Sequence, residues 1–112
     1  MKLFTGLKKI RALEKLHLPF IKSVIDLDIV IEIGYEQEHG RIITLKHLYL
    51  LDICSRGTMR RKLGILVDQG IVTRLRQASD RRASLLAIAP GAAKLLSKFC
   101  SGVTTISASH FR

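Results

Sequence analysis

The chain is poor in cysteine, with two in 112 residues. Cys54 and Cys100 lie far apart and neither has a histidine at zinc-ligand spacing. The spacing argues against a metal site and for two small, reduced, mostly buried side chains. No apolar run reaches a membrane-spanning length, because the most hydrophobic stretch, Phe20–Tyr35, is broken by Lys22, Asp26, Asp28 and Glu32. Met1–Leu18 has no uninterrupted apolar segment and no small-residue cleavage site, so a secretion signal is not expected and the chain reads as cytoplasmic, with no membrane partner. No glycine-rich loop could cradle a phosphate, since Gly57 and Gly64 lack the pattern. His17, His39, His47 and His110 show no order suggestive of a nucleophile–base pair. Asp26 and Asp28, two residues apart, cannot share one helical face as a carboxylate pair. These absences point away from an enzyme and from a bound cofactor. No internal repeat is present.

Acidic residues are also scarce, nine against 19 basic ones, for a formal charge of +10. With 47% apolar residues the composition is that of a single globular domain, and its charge calls for an anionic partner. Leu3, Leu7, Ile10, Leu13 and Leu16 recur at three- and four-residue steps, with Lys8, Lys9, Arg11 and Lys15 on the other faces. This predicts an amphipathic leader helix over Met1–Leu18, packed on the domain or on a partner subunit. A membrane-surface helix and an arm that orders on DNA are the alternatives.

Proline occurs twice. Pro19 is suited to open a helix, and Phe20–Glu38 is assigned to one that is largely buried, although Leu27, Ile29, Ile31 and Ile33 also alternate as in a strand. His39-Gly40 reads as its stop. Arg41–Thr44 is a short strand candidate. Thr44 is placed to cap a helix ending near Ile53, with Leu45, Leu48, Leu50 and Leu51 as its apolar face. Ser55 is placed to cap another, to about Gln69, with Met59, Leu63, Leu66 and Val67 inward and Gly70 as terminator. Ile71–Leu75 and Ser84–Ile88 flank a polar loop, Arg76–Ala83, as in a hairpin. Pro90 opens a last helix carrying Ala92, Ala93, Leu95, Leu96 and Phe99. Ser101–Arg112, rich in Ser, Thr, Ala and Gly, is expected to be loosely ordered unless a partner holds it.

Helix, helix, β-hairpin, helix is the order of a winged helix-turn-helix, mainly α with a small β wing. Such a fold projects one helix into the major groove and a hairpin beside it. Charge follows the same division. Ser55–Arg82 holds Arg56, Arg60, Arg61, Lys62, Arg74, Arg76, Arg81 and Arg82 against Asp68 and Asp80, eight bases to two acids or +6. Phe20–Asp52 holds three bases against six acids, or −3. Arginine outnumbers lysine seven to one in the basic segment, which suits bidentate contact with phosphate or guanine.

The stretch Ser55-Arg-Gly-Thr-Met-Arg-Arg-Lys-Leu, followed by Leu66, Gly70-Ile71-Val72 and Asp80-Arg81-Arg82, resembles the MarR-type winged-helix regulators over about half the chain. The resemblance implies a sequence-specific regulator of transcription that binds double-stranded DNA, with the recognition helix near 55–69 in the major groove. The wing, near 74–84, would lie on the minor groove or backbone. It implies Ser55 as cap and phosphate contact, Arg56, Gly57 and Thr58 nearest the groove, and Arg60 and Arg61 as base or phosphate readers. Arg74 and Arg76 lie on the wing, Asp80 shapes its loop, and Arg81 or Arg82 enters the minor groove. The sequence departs from the pattern at Tyr49, where the family's brace helix carries a small residue, and at Gly91, which comes early in the final helix. Relative to the longer family, less chain is left for a small-molecule effector pocket. A homodimer would be built from the leader, the Phe20 helix and the last helix.

The chain is thus divided into a leader (1–18), a winged-helix domain (19–100) and a polar tail (101–112). A protein-interaction module, worked by the leader and the apolar Phe20 helix, is one rival. A replication or RNA-associated nucleic-acid binder is the other.

Overall fold

Pro19 does not open the second helix; it sits in the turn before it. Leu18 and Phe20 on either side are buried, 1% and 7% exposed, and anchor that turn in the core. The helix begins later because Ser23 and Asp26 form a reciprocal capping box. The computed structural model describes the backbone of residues 1–77 and 80–112, and side chains other than those of 76–83. Its elements are α1 (Leu3–His17), α2 (Val24–Glu38), β1 (Ile43–Thr44), α3 (Leu45–Leu50), α4 (Arg56–Asp68), β2 (Val72–Gln77), β3 (Asp80–Ile88) and α5 (Pro90–His110).

The ambiguous segment is therefore helical. Ile29, Val30 and Ile33 of α2 are buried, while Val24, Ile31 and Tyr35 face out. Gly40, with φ +75°, ends it in the left-handed conformation that glycine adopts without a Cβ clash. Thr44 caps α3 by accepting from the His47 N–H, but α3 stops at Leu50 rather than near Ile53. Of its predicted apolar face, Leu48 is fully buried and Leu50 is 73% exposed. Asp52 takes the left-handed turn between α3 and α4, with φ 55°, a conformation Asp tolerates better than most side chains.

Met59, Leu63 and Leu66 of α4 enter a core shared with Leu48, Val72, Leu86 and Ala92. The strands form one antiparallel sheet in the order β1-β3-β2, with Ile43 opposite Leu86 and Val72 opposite Ile88. The hairpin strands run further than the alternation suggested, to Gln77 and from Asp80, so much of the expected loop is strand.

Pro90 stands in the first turn of α5 as expected. The helix then continues to His110 and takes up the segment expected to be loosely ordered. Its partner is α1. Gly6 lies under the Phe111 ring, and Gly102 lies against Leu13. The Lys2 N–H donates to the His110 carbonyl at 2.9 Å. Small residues let the two helices approach, and the contact orders a tail whose composition favours no structure of its own. The radius of gyration is 15.8 Å and the longest extent 54 Å. A compact chain of this length would have a radius of about 13 Å, so the α1–α5 pair stands out as a stalk. No helix among the described residues is long and apolar enough to cross a membrane. Both cysteines are free, and Cys100 is exposed on α5 rather than buried as expected.

Candidate nucleic-acid interface

The N-terminus of α4 is set by Ser55, whose hydroxyl oxygen accepts from the Thr58 N–H at 3.2 Å. The Ser55 hydroxyl also donates to Thr58 Oγ1 at 3.0 Å. At the other end Gly70, with φ +74°, turns the chain into β2. Between these stops the helix has two faces. Met59, Leu63 and Leu66 point inward. Ser55, Arg56, Gly57, Arg60 and Arg61 are exposed, and Thr58 is half-buried. Open space surrounds Gly57 and Gly64, so the backbone on this face is free to come close to a partner. Of the α4 residues expected to meet DNA, all but Thr58 are thus solvent-exposed.

Two basic residues of α4 are engaged elsewhere. The Arg56 guanidinium lies 5.1 Å from the centroid of the Tyr49 ring, a cation–π contact between α3 and α4. That contact accounts for the bulky residue in the brace helix. Lys62 turns inward. Its ammonium donates to Asp26 Oδ1 and to Ser23 Oγ, both at 3.1 Å. Asp26 also accepts from the Lys22 and Ser23 N–H groups at 2.9 and 3.0 Å. Burial raises the Asp26 carboxyl, but the hydrogen bonds from Lys22, Lys62 and Ser23, with the Lys62 charge, outweigh it and hold the group below its ordinary value. This pair ties α4 to the start of α2, and its signal in the sequence was only the capping spacing Ser23-x-x-Asp26.

On the hairpin, Arg74 is exposed and donates to Ser84 Oγ at 3.0 Å. The side chains of Arg76, Asp80, Arg81 and Arg82 lie outside the described residues, so the wing roles expected of them are not placed.

Two further features escaped the sequence reading. A cleft of about 580 Å³ between α2 and α5 is lined by Ile31, Gly34, Tyr35, Ile88, Leu96 and Cys100 among others. Its size falls within the range of small-molecule sites. On the other side of α2, Glu32, Glu36 and His47 gather. His47 Nε2 lies 3.2 Å from Glu32 Oε1, and Glu36 pairs with Arg41. The Arg41 hydrogen bond holds the Glu36 carboxyl below its ordinary value despite burial. Glu32 and Glu36 are one helical turn apart, a spacing visible in the sequence, but His47 joins them only through the fold.

No family model matches the sequence, and no curated protein matches it significantly. Solved structures do match. A crystal structure of MarR superposes with a TM-score of 0.65 at 18% identity, covering 98% of this chain and 78% of that one. The transcriptional regulator Tm0710 from Thermotoga maritima gives 0.68 at 18% identity, covering 96% and 73%. A MarR variant from E. coli complexed with operator DNA gives 0.62 at 22% identity, covering 90% and 70%. The shared architecture spans α1 to α5, well beyond the half of the chain that carried the sequence resemblance. The chain has the winged-helix fold of the MarR transcriptional regulators.

Proposed function

We propose that this chain is a regulator of transcription that binds double-stranded DNA, with α4 in the major groove and the β2–β3 hairpin against the minor groove or backbone. One observation carries the reading. The outward face of α4 presents Arg60 and Arg61 to solvent over an open glycine surface, while the helix's one lysine, Lys62, is turned into the fold. Guanidinium groups on an exposed helix match the acceptor pattern of guanine and the phosphate oxygens. The E. coli relative bound to operator DNA supports the same use of the fold. In this reading the protein is cytoplasmic and works by binding rather than by catalysis.

The protein acts as a homodimer in this reading. Leu3, Phe4 and Leu7 on α1 are 44–79% exposed, an apolar stripe on a stalk too thin to cover it. A second copy covers the stripe and presents a second α4, as a two-fold operator requires, with the two helices roughly 34 Å apart.

Titration of duplex DNA at several salt concentrations tests the proposal. Arg60→Ala or Arg61→Ala should cost about 1–3 kcal/mol if the residue reads a base. Arg56→Ala, whose side chain is held on Tyr49, should cost less. Unchanged affinity in both of the first two variants would refute the placement of the reading face. Absence of duplex binding even at low salt would instead favour a protein-interaction module.

A further inference from the structure

We propose that Glu32, Glu36 and His47 form a binding site for a divalent transition-metal ion of the zinc type, clasping α2 to α3. The three side chains supply two carboxylate oxygens and one imidazole nitrogen, all within 4.8 Å of one another. They come from two elements joined by a turn and strand, so the grouping is made by the fold and not by local sequence. Around one zinc ion, with bonds of about 2.0–2.2 Å, ligand atoms stand roughly 3.3 Å apart. Glu32 and His47 already meet that separation at 3.2 Å. The third ligand atom lies within 4.8 Å of the other two and needs to close by at most about 1.5 Å, within the reach of a glutamate rotamer.

The donor set selects the ion. Imidazole disfavours magnesium and calcium, which take oxygen ligands, and suits zinc and its first-row neighbours. Three protein ligands leave a fourth tetrahedral position for water or a further ligand. Electrostatics agrees, since the site lies in the segment of net charge −3 within a chain of +10. In the metal-free protein both carboxylates already have a partner. His47 lies against Glu32, and Arg41 binds Glu36. The Arg41 side chain is 55% exposed and can swing into solvent when an ion takes its place. His47 then exchanges a hydrogen bond to Glu32 for a shared metal. The ion would fasten α3, whose only fully buried side chain is Leu48, to the α2 scaffold. Because α3 also carries Tyr49 beneath Arg56, it would stiffen the support of α4. The site does not depend on the DNA-binding reading.

The test uses the full chain with Cys54→Ser and Cys100→Ser, which removes thiol ligands distant from the site. Zinc binding is measured by calorimetry, and cobalt(II) is followed by its visible absorption. One equivalent should bind, with the cobalt spectrum of a low-symmetry site bearing nitrogen and oxygen donors. His47→Ala and Glu36→Gln should each weaken zinc by at least about tenfold, judged against the tenfold or greater losses seen even for outer-shell changes. Arg41→Ala removes the competitor for Glu36 and should tighten binding several-fold, an outcome that misfolding cannot imitate. Circular dichroism checks that each variant is folded. Zinc affinity unchanged by His47→Ala in a folded protein, or no cobalt spectrum with excess metal, would overturn the proposal.

Discussion

The Lys62–Asp26 pair offers the sharpest test of how α4 is held. Both side chains are largely buried, 15% and 7% exposed, and they join residues 36 positions apart. Removing one partner of a buried pair strands the other charge in a poorly solvated site, at a cost of about 3–5 kcal/mol. That is a large part of the roughly 5–15 kcal/mol that stabilises a domain. The two halves are not equivalent. Lys62→Met leaves Asp26 with the Lys22 and Ser23 N–H donors, so its cost should fall near the lower end. Asp26→Leu leaves the ammonium with Ser23 Oγ alone and breaks the α2 capping box, adding about 1 kcal/mol. The double variant removes both charges together and should cost far less than the two single changes added. Urea unfolding at neutral pH, extrapolated to water, gives all three values. Additive costs, or single costs below about 1 kcal/mol, would refute the account.

The same pair sets a pH dependence. The Asp26 carboxyl is held below its ordinary value of 3.8, so the unfolded chain binds this proton more tightly than the folded one. Its contribution is complete well above pH 3.8 and is lost as the pH falls through the lower folded-state value. The stability gap between the parent chain and Lys62→Met should therefore narrow on acidification below about pH 5. A gap that stays constant down to pH 3 would contradict the pairing. Because Lys62 faces inward, Lys62→Met should leave the salt dependence of duplex binding unchanged.

Gly70→Ala forces a left-handed residue at φ +74° into otherwise open space and should cost about 1–2 kcal/mol from backbone strain alone, read by thermal or urea unfolding. Gly102→Ile drives a branched side chain into Leu13 and should lift α1 from α5, exposing α1 to rapid limited proteolysis while the winged-helix core stays protected; unchanged protection would contradict the stalk packing.

Local chemistry made much of the winged helix legible. Thr44 and Ser55 cap where hydroxyl side chains were placed to cap, and Gly40 and Gly70 end helices where only glycine turns cheaply. What depended on contacts across the chain did not show. Ser101–Arg112 carries poor helix formers, yet Gly102 and the small residues around it let α1 approach, and packing overrides propensity. The Thr104, Thr105 and Ser109 hydroxyls bond back to carbonyls four residues earlier, so the polar side chains are satisfied by the helix that their composition argued against.

The same limit applies to the charged face of α4. Composition counts Arg56, Arg60, Arg61 and Lys62 alike, as four positive charges in one segment. Each step along a helix turns a side chain by about 100°, so neighbours in sequence meet different surroundings. Arg61 faces solvent; Lys62, one step on, is paired with Asp26; Arg56, a turn and a half earlier, is stacked on Tyr49. The segment's charge indicates that an anion is expected, but only the inward partners, lying on α2 and α3, decide which cations remain to meet it. Arg60 and Arg61 are accordingly the pair on α4 on which recognition of a duplex should turn.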